Sequence, residues 1–110
     1  MKITRKLAEQ IWLEHYGPCT FARDFHGNYM VFEGYGNPNY YRYFGGEIIY
    51  CGWNIHHIRP KSQGGPNAKN NLICTNIITN EMIADKTSFR LDDQNYQVRK
   101  TASGYTIVRL

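Results

Sequence analysis

Long hydrophobic runs are missing from this chain. Its apolar stretches reach no more than four or five residues, far short of the roughly 20 needed for a bilayer-spanning helix, so no membrane-spanning helix is expected. The opening "MKITRKLAEQ" has too many charges for a secretory signal, and a cytoplasmic protein is the expectation. Cysteine is scarce as well: Cys19, Cys51 and Cys74 form no CxxC pair. An odd, widely spaced set argues for reduced thiols rather than a disulfide framework, and against a zinc knuckle built on cysteine pairs. No internal repeat or low-complexity tract appears.

What is present suits one small domain spanning residues 1–110. Hydrophobic residues make up 42% of the 110, enough for a core, and aromatics 15%, nine of them tyrosine. Tyrosine joins an apolar ring to a polar tip, so several rings should bridge core and surface. Thirteen basic residues against nine acidic give a net charge of +4, a bias compatible with a polyanionic partner but no proof of one.

Periodicity sets out the elements. Ile3, Leu7, Ile11 and Trp12 make one apolar stripe of a helix over 4–16, with Thr4 as N-cap and Gly17-Pro18 as its stop. Residues 19–34 read as a hairpin turning at Gly27-Asn28. The stretch 35–47, "YGNPNYYRYFGGE", reads as a loop folding over the core, or else as an exposed aromatic platform able to stack on bases. Residues 47–58 then give a strand, a kink at Gly52 and a second strand. After a loop at 59–71 come a short strand and a helix from about Asn76 to Lys86, with Ile77, Ile78, Met82 and Ile83 as its buried side. The tail reads as a β-hairpin around Ala102-Ser103-Gly104.

Chemistry concentrates in "WNIHHIRPKSQGGPNAKNNL", residues 53–72. Two adjacent histidines at a strand end can fill a core, bind a metal or move protons. On a regular strand His56 and His57 point to opposite faces, but Pro60 forces a bend just beyond them. One imidazole is then free to bind a metal while its neighbour reaches a water or substrate. On the following helix Asn76 and Asn80 share a face, as do Glu81 and Asp85. A strand end crossing that helix would put His56 and Asn80 around one cation. Nitrogen plus amide oxygen leaves positions open for water and phosphate, and a neutral histidine can accept a proton from water near neutral pH. Arg23, Arg42, Arg59, Lys61, Lys69 and Arg90 are candidate phosphate contacts, with Arg59 and Lys61 foremost because they flank the histidines. His15 and His26 read as structural or surface residues.

"GWNIHHIRPKSQGGPNAKNNLICTNIITNEMIADK" resembles the ββα-metal motif of the HNH endonucleases. In that pattern an apolar strand ends in Asp-His or His-His, then come Ile-x-Pro, Gly-Gly, Asn-Leu and a helix carrying His or Asn. The resemblance implies an α+β fold with a ββα-metal core at about 50–88, an N-terminal helix and additional β-hairpins. It implies a metal-dependent endonuclease hydrolysing phosphodiester bonds in DNA, with RNA as a second candidate substrate. His56 falls on a metal-binding position and Asn80 on the last metal ligand. His57 falls on the general base, and Asn71 on the asparagine that braces the loop and orients that base. Lys86 resembles a lysine that follows the last position, and Arg59, Lys61 and Lys86 become the expected nucleic-acid contacts. One divalent ion (Mg, Mn, Ni or Zn) is the implied cofactor. Aspartate is commoner than histidine at position 56, and the softer imidazole suits Zn, Ni or Mn better than Mg. The same departure motivates an alternative, a weak or inactive nucleic-acid-binding module on the HNH fold. A double-strand cut would require a dimer or a second site.

Overall fold

The computed structural model describes residues 3–110. Helix α1 spans Arg5–Tyr16. Thr4 caps it, its hydroxyl accepting from the Leu7 amide at 3.2 Å, and Gly17 ends it at φ 63°, a left-handed value that glycine takes without strain. The helix buries Ala8, Ile11 and Trp12. These pack with Met30, Trp53, Ile55, Leu72 and Cys74 into the first core cluster. The two indoles meet with centroids 4.8 Å apart. Their N–H groups donate to backbone carbonyls, Trp12 to Cys19 and Trp53 to Phe32, so neither ring is buried with an unmet donor.

Strands β1 (Phe21–Arg23) and β2 (Tyr29–Val31) form the expected hairpin. Asp24 fixes its turn, the carboxylate accepting from the His26 and Asn28 amides and reaching on to the Asn76 amide. The stretch 35–47 divides. Tyr35 packs edge-on against Trp53 at 5.0 Å, covering the core. Residues Tyr41–Phe44 form a strand, β3, which pairs with β4 (Glu47–Tyr50). Gly45 and Gly46, both at positive φ, make a two-residue hairpin turn, where a continuous loop was expected. Tyr41, Tyr43 and Ile48 are exposed on this hairpin.

The centre of the molecule is an antiparallel pair, β5 (Trp53–His57) with β6 (Leu72–Asn76), crossed by helix α2 (Ile77–Ile83). Asn76 caps α2 by accepting from the Ile78 amide. The helix stops at Ala84 (φ 53°), short of the expected Lys86, because the chain turns there to bring Phe89 and Leu91 against Ile83. Its buried side also differs from the expected one. Ile77, Thr79 and Ile83 are buried, but Ile78 and Met82 are about half exposed, at 46% and 51%. The inward face is part polar: Thr79 accepts from the Asn28 amide group at 2.7 Å.

The tail forms a three-stranded antiparallel sheet, with β7 (Ser88–Leu91) added to the expected hairpin of β8 (Gln94–Lys100) and β9 (Tyr105–Arg109). Ile83, Phe89, Leu91 and Tyr96 make a second core cluster under it. The fold is α+β: two helices and nine strands among the described residues, in four small sheets. No helix among them is long and apolar enough to cross a membrane.

Candidate active site

His56 and His57 close β5, opposite Ile73 and Leu72 of β6. Adjacent strand residues face opposite ways, and the two imidazoles find different partners. His56 is buried at 4% exposure and turns to α2, its Nδ1 lying 2.7 Å from Asn80 Oδ1. The Asn80 amide nitrogen donates in turn to Asn54 Oδ1 at 2.6 Å, which aims the Asn80 oxygen at the histidine. Asn54 is two residues before His56 and so on the same strand face. Burial depresses the basicity of His56 below the ordinary histidine value; the Asn80 contact opposes this and the neighbouring His57 adds to it. The ring therefore stays neutral, the form that binds a metal.

His57 is half-buried and turns to the loop, where its Nε2 meets Asn67 Oδ1 in a short hydrogen bond. An amide oxygen can only accept, so this contact puts the ring proton on Nε2 and leaves the lone pair on Nδ1. Both histidines line one open cleft of about 270 Å³ with Pro60, Lys61, Ser62, Asn80 and Asp85.

The loop between β5 and β6 is built around Asn71, which is fully buried. Its Oδ1 accepts from the Arg59 amide at 2.8 Å, and its Nδ2 donates to the Arg59 and Pro66 carbonyls. Three bonds from one side chain thus tie both ends of the loop together. Gly65 completes the closure: a Cβ there would stand 1.8 Å from the Arg59 carbonyl oxygen, so only glycine fits.

Of the residues expected at the site, His56, His57, Asn80 and Lys61 converge on the cleft, with Asn71 directly behind it. Arg59 lies at its flank, its guanidinium over the Tyr105 ring. Lys86 is exposed in the turn after α2 and does not line the cleft. Asn54 and Asn67 were not anticipated.

The cleft fits a metal in one respect. The contact between His56 Nδ1 and Asn80 Oδ1 at 2.7 Å puts an imidazole nitrogen and a carboxamide oxygen side by side, donors that a borderline divalent ion accepts once the Nδ1 proton has left. Nε2, on the opposite edge of the ring, is buried with no hydrogen-bond partner and does not face the cleft. Among the described residues no three His, Cys, Asp or Glu side chains cluster as a metal cage. Asp85 is the one carboxylate lining the cleft.

The family model described as HNH endonuclease matches residues 47–76. The match runs from β4 to the end of β6, taking in His56, His57 and Asn71 and stopping four residues before Asn80. No curated protein and no solved structure matches the chain.

Proposed function

We propose that this chain, which carries an HNH endonuclease family segment at residues 47–76, is a metal-dependent endonuclease hydrolysing phosphodiester bonds in DNA. The observation that supports this reading is the division of labour between the paired histidines: one cleft, one imidazole against Asn80, the other against Asn67.

His57 acts as the general base. With its proton held on Nε2 by Asn67, Nδ1 takes a proton from water as the water oxygen attacks phosphorus, and the bond from phosphorus to the 3′ oxygen breaks, the leaving oxygen taking a proton from solvent. Asn71 holds the loop that carries Asn67 and Arg59 in register with β5. His56 and Asn80 would hold the divalent ion, which when bound supplies positive charge to the phosphoryl oxygens. Lys61 on the cleft wall and Arg59 at its flank counter the charge of the phosphate backbone. Lys86, in the turn beyond α2, serves as an outlying contact to that backbone.

Plasmid nicking tests the reading. The purified chain with Mg, Mn, Ni or Zn relaxes supercoiled DNA, and His57→Ala reduces the rate by at least ~100-fold with unchanged thermal unfolding. Equal nicking by that variant would remove His57 from the role of base. The neutral character of the His56–Asn80 pair favours one other reading, a nucleic-acid-binding module with little or no turnover. Stoichiometric metal uptake with no cleavage under any of the four ions would select it.

A further inference from the structure

Beside the histidine cleft lies a second and larger recess, a groove of about 620 Å³ against about 270 Å³ for the cleft. One wall is the motif loop, presenting Arg59 and Gln63; the other is Thr87 with the C-terminal sheet, presenting Val98, Lys100 and Tyr105. Lys100 and Tyr105 are directly paired across β8 and β9, so they project from the same sheet face. The Arg59 guanidinium stands 5.6 Å from the centre of the Tyr105 ring, and its Nε donates to the Gln63 carbonyl at 2.9 Å. Two contacts thus hold a cation in place at the mouth of the groove before any ligand arrives.

Apart from Val98 the lining side chains are polar or aromatic, and their charge is of one sign. Two cations face the groove, and among the described residues that line it there is no carboxylate. An apolar ligand has little to bury there, whereas a polyanion meets fixed positive charge and further hydrogen-bonding side chains. The groove and the cleft share a wall: Pro60, Lys61 and Ser62 face the cleft, and Gln63 and Gly64 face the groove. Along each strand of DNA the charges recur every ~3.4 Å of helix axis. A strand with one phosphate at His57 therefore carries further phosphates over the 60–64 wall within a few nucleotides.

We infer that the groove between the 59–64 loop and the C-terminal sheet binds the phosphodiester backbone of the nucleic-acid strand flanking the cleavage position, through Arg59 and Lys100 with Tyr105 as the platform for Arg59. This rests on the nuclease reading above and deepens it, since it gives the C-terminal sheet a part in substrate binding. Bidentate contact by the oriented guanidinium sets the strand's path, and Lys100 adds charge that carries no sequence preference.

Binding of a dye-labelled duplex, followed by fluorescence anisotropy over a range of salt, separates the outcomes. The His57→Ala chain is the parent, so that the DNA stays intact. Removing one phosphate contact lowers the slope of log K against log salt by about 0.9 for a duplex and about 0.7 for a single strand. Lys100→Ala is expected to flatten the slope by that amount and Lys100→Glu by more. Lys6→Ala, an exposed cation on α1, should leave it unchanged. Lys100 is itself exposed, so these variants keep the fold. Salt-dependent binding by the parent with no flattening in either Lys100 variant, or equal flattening in Lys6→Ala, would overturn the groove assignment and leave the nuclease reading standing. A parent that binds no DNA at any salt would overturn both.

Discussion

Three asparagine side chains decide what the two histidines can do. Asn54 aims Asn80, Asn80 meets His56, and Asn67 sets the tautomer of His57. On the proposed mechanism Asn67 acts through the tautomer of His57, which makes it a positioning residue with a distinctive signature. Asn67→Ala should lower kcat for nicking by about 10–100-fold, leaving KM for DNA and the thermal unfolding curve nearly unchanged. A fall in stability with kcat intact would show instead that its contact merely closes the loop. The histidines themselves were legible in the sequence because Pro60, Gly64, Gly65, Asn71 and Leu72 follow them in a fixed order. Asn54 was legible in principle, since it lies two residues before His56 on an alternating strand. Asn67 was not, because its partner depends on how Asn71 folds the loop back on Arg59 and Pro66.

At the level of elements, the 58–71 loop and α1 are held by different physics, and their variants should fail differently. In the loop, Gly65→Ala forces a methyl group against the Arg59 backbone carbonyl. Overpacking of this kind costs about 1–3 kcal/mol, and relief requires residue 59 to move, carrying His57 with it. A urea titration should show that loss, and nicking should fall further than the lost stability alone explains. On α1, Thr4→Ala removes one N-cap bond and should cost about 1 kcal/mol without touching nicking of the folded fraction. Equal effects of the two on specific activity would contradict this separation. The amphipathic stripe and the Gly-Pro stop made α1 readable almost to the residue. β3 was hidden because glycine, asparagine and proline at 36–39 dominate its approach, although the Gly45-Gly46 pair flanked by aromatic and β-branched residues carried a hairpin signal. The inward face of α2 was misread because it spends Thr79 and Asn80 on hydrogen bonds to Asn28 and His56, a polar use that apolar periodicity cannot see. Ile78 and Met82 are left outside as a result.

Across the whole molecule, the two core clusters are linked by polar clamps rather than by one continuous apolar layer. His26, at the β1–β2 turn, reaches Tyr96 and Asp92 of the C-terminal region at 2.7 and 2.6 Å, and Asp24 beside it reaches the start of α2. Loosening either cluster should therefore be felt cooperatively, and alkaline pH is one way to loosen the first. Burial pushes the Cys74 thiol and the Tyr16 phenol each up to about 12; for Tyr16 the nearby Cys74 and Asp24 add to the effect. In the unfolded chain these groups ionise at their ordinary values, about 9 and 10. Both folded values are raised, so between those values and 12 the folded state binds more protons than the unfolded one. The stability they contribute is fully present below pH 9 and is lost as pH rises toward 12. Urea midpoints should accordingly hold steady from pH 7 to 9 and then fall. Cys74→Ala, though less stable at pH 7 because it leaves a cavity, should fall less steeply between pH 9 and 10. The thiols give an independent reading: in the folded protein exposed Cys19 reacts with a thiol reagent well ahead of buried Cys51 and Cys74, and in urea all three react together. A wild-type midpoint that stays level to pH 11, or a Cys74→Ala decline as steep as the wild type's, would mean that the first cluster admits hydroxide and is not the sealed core its burial indicates.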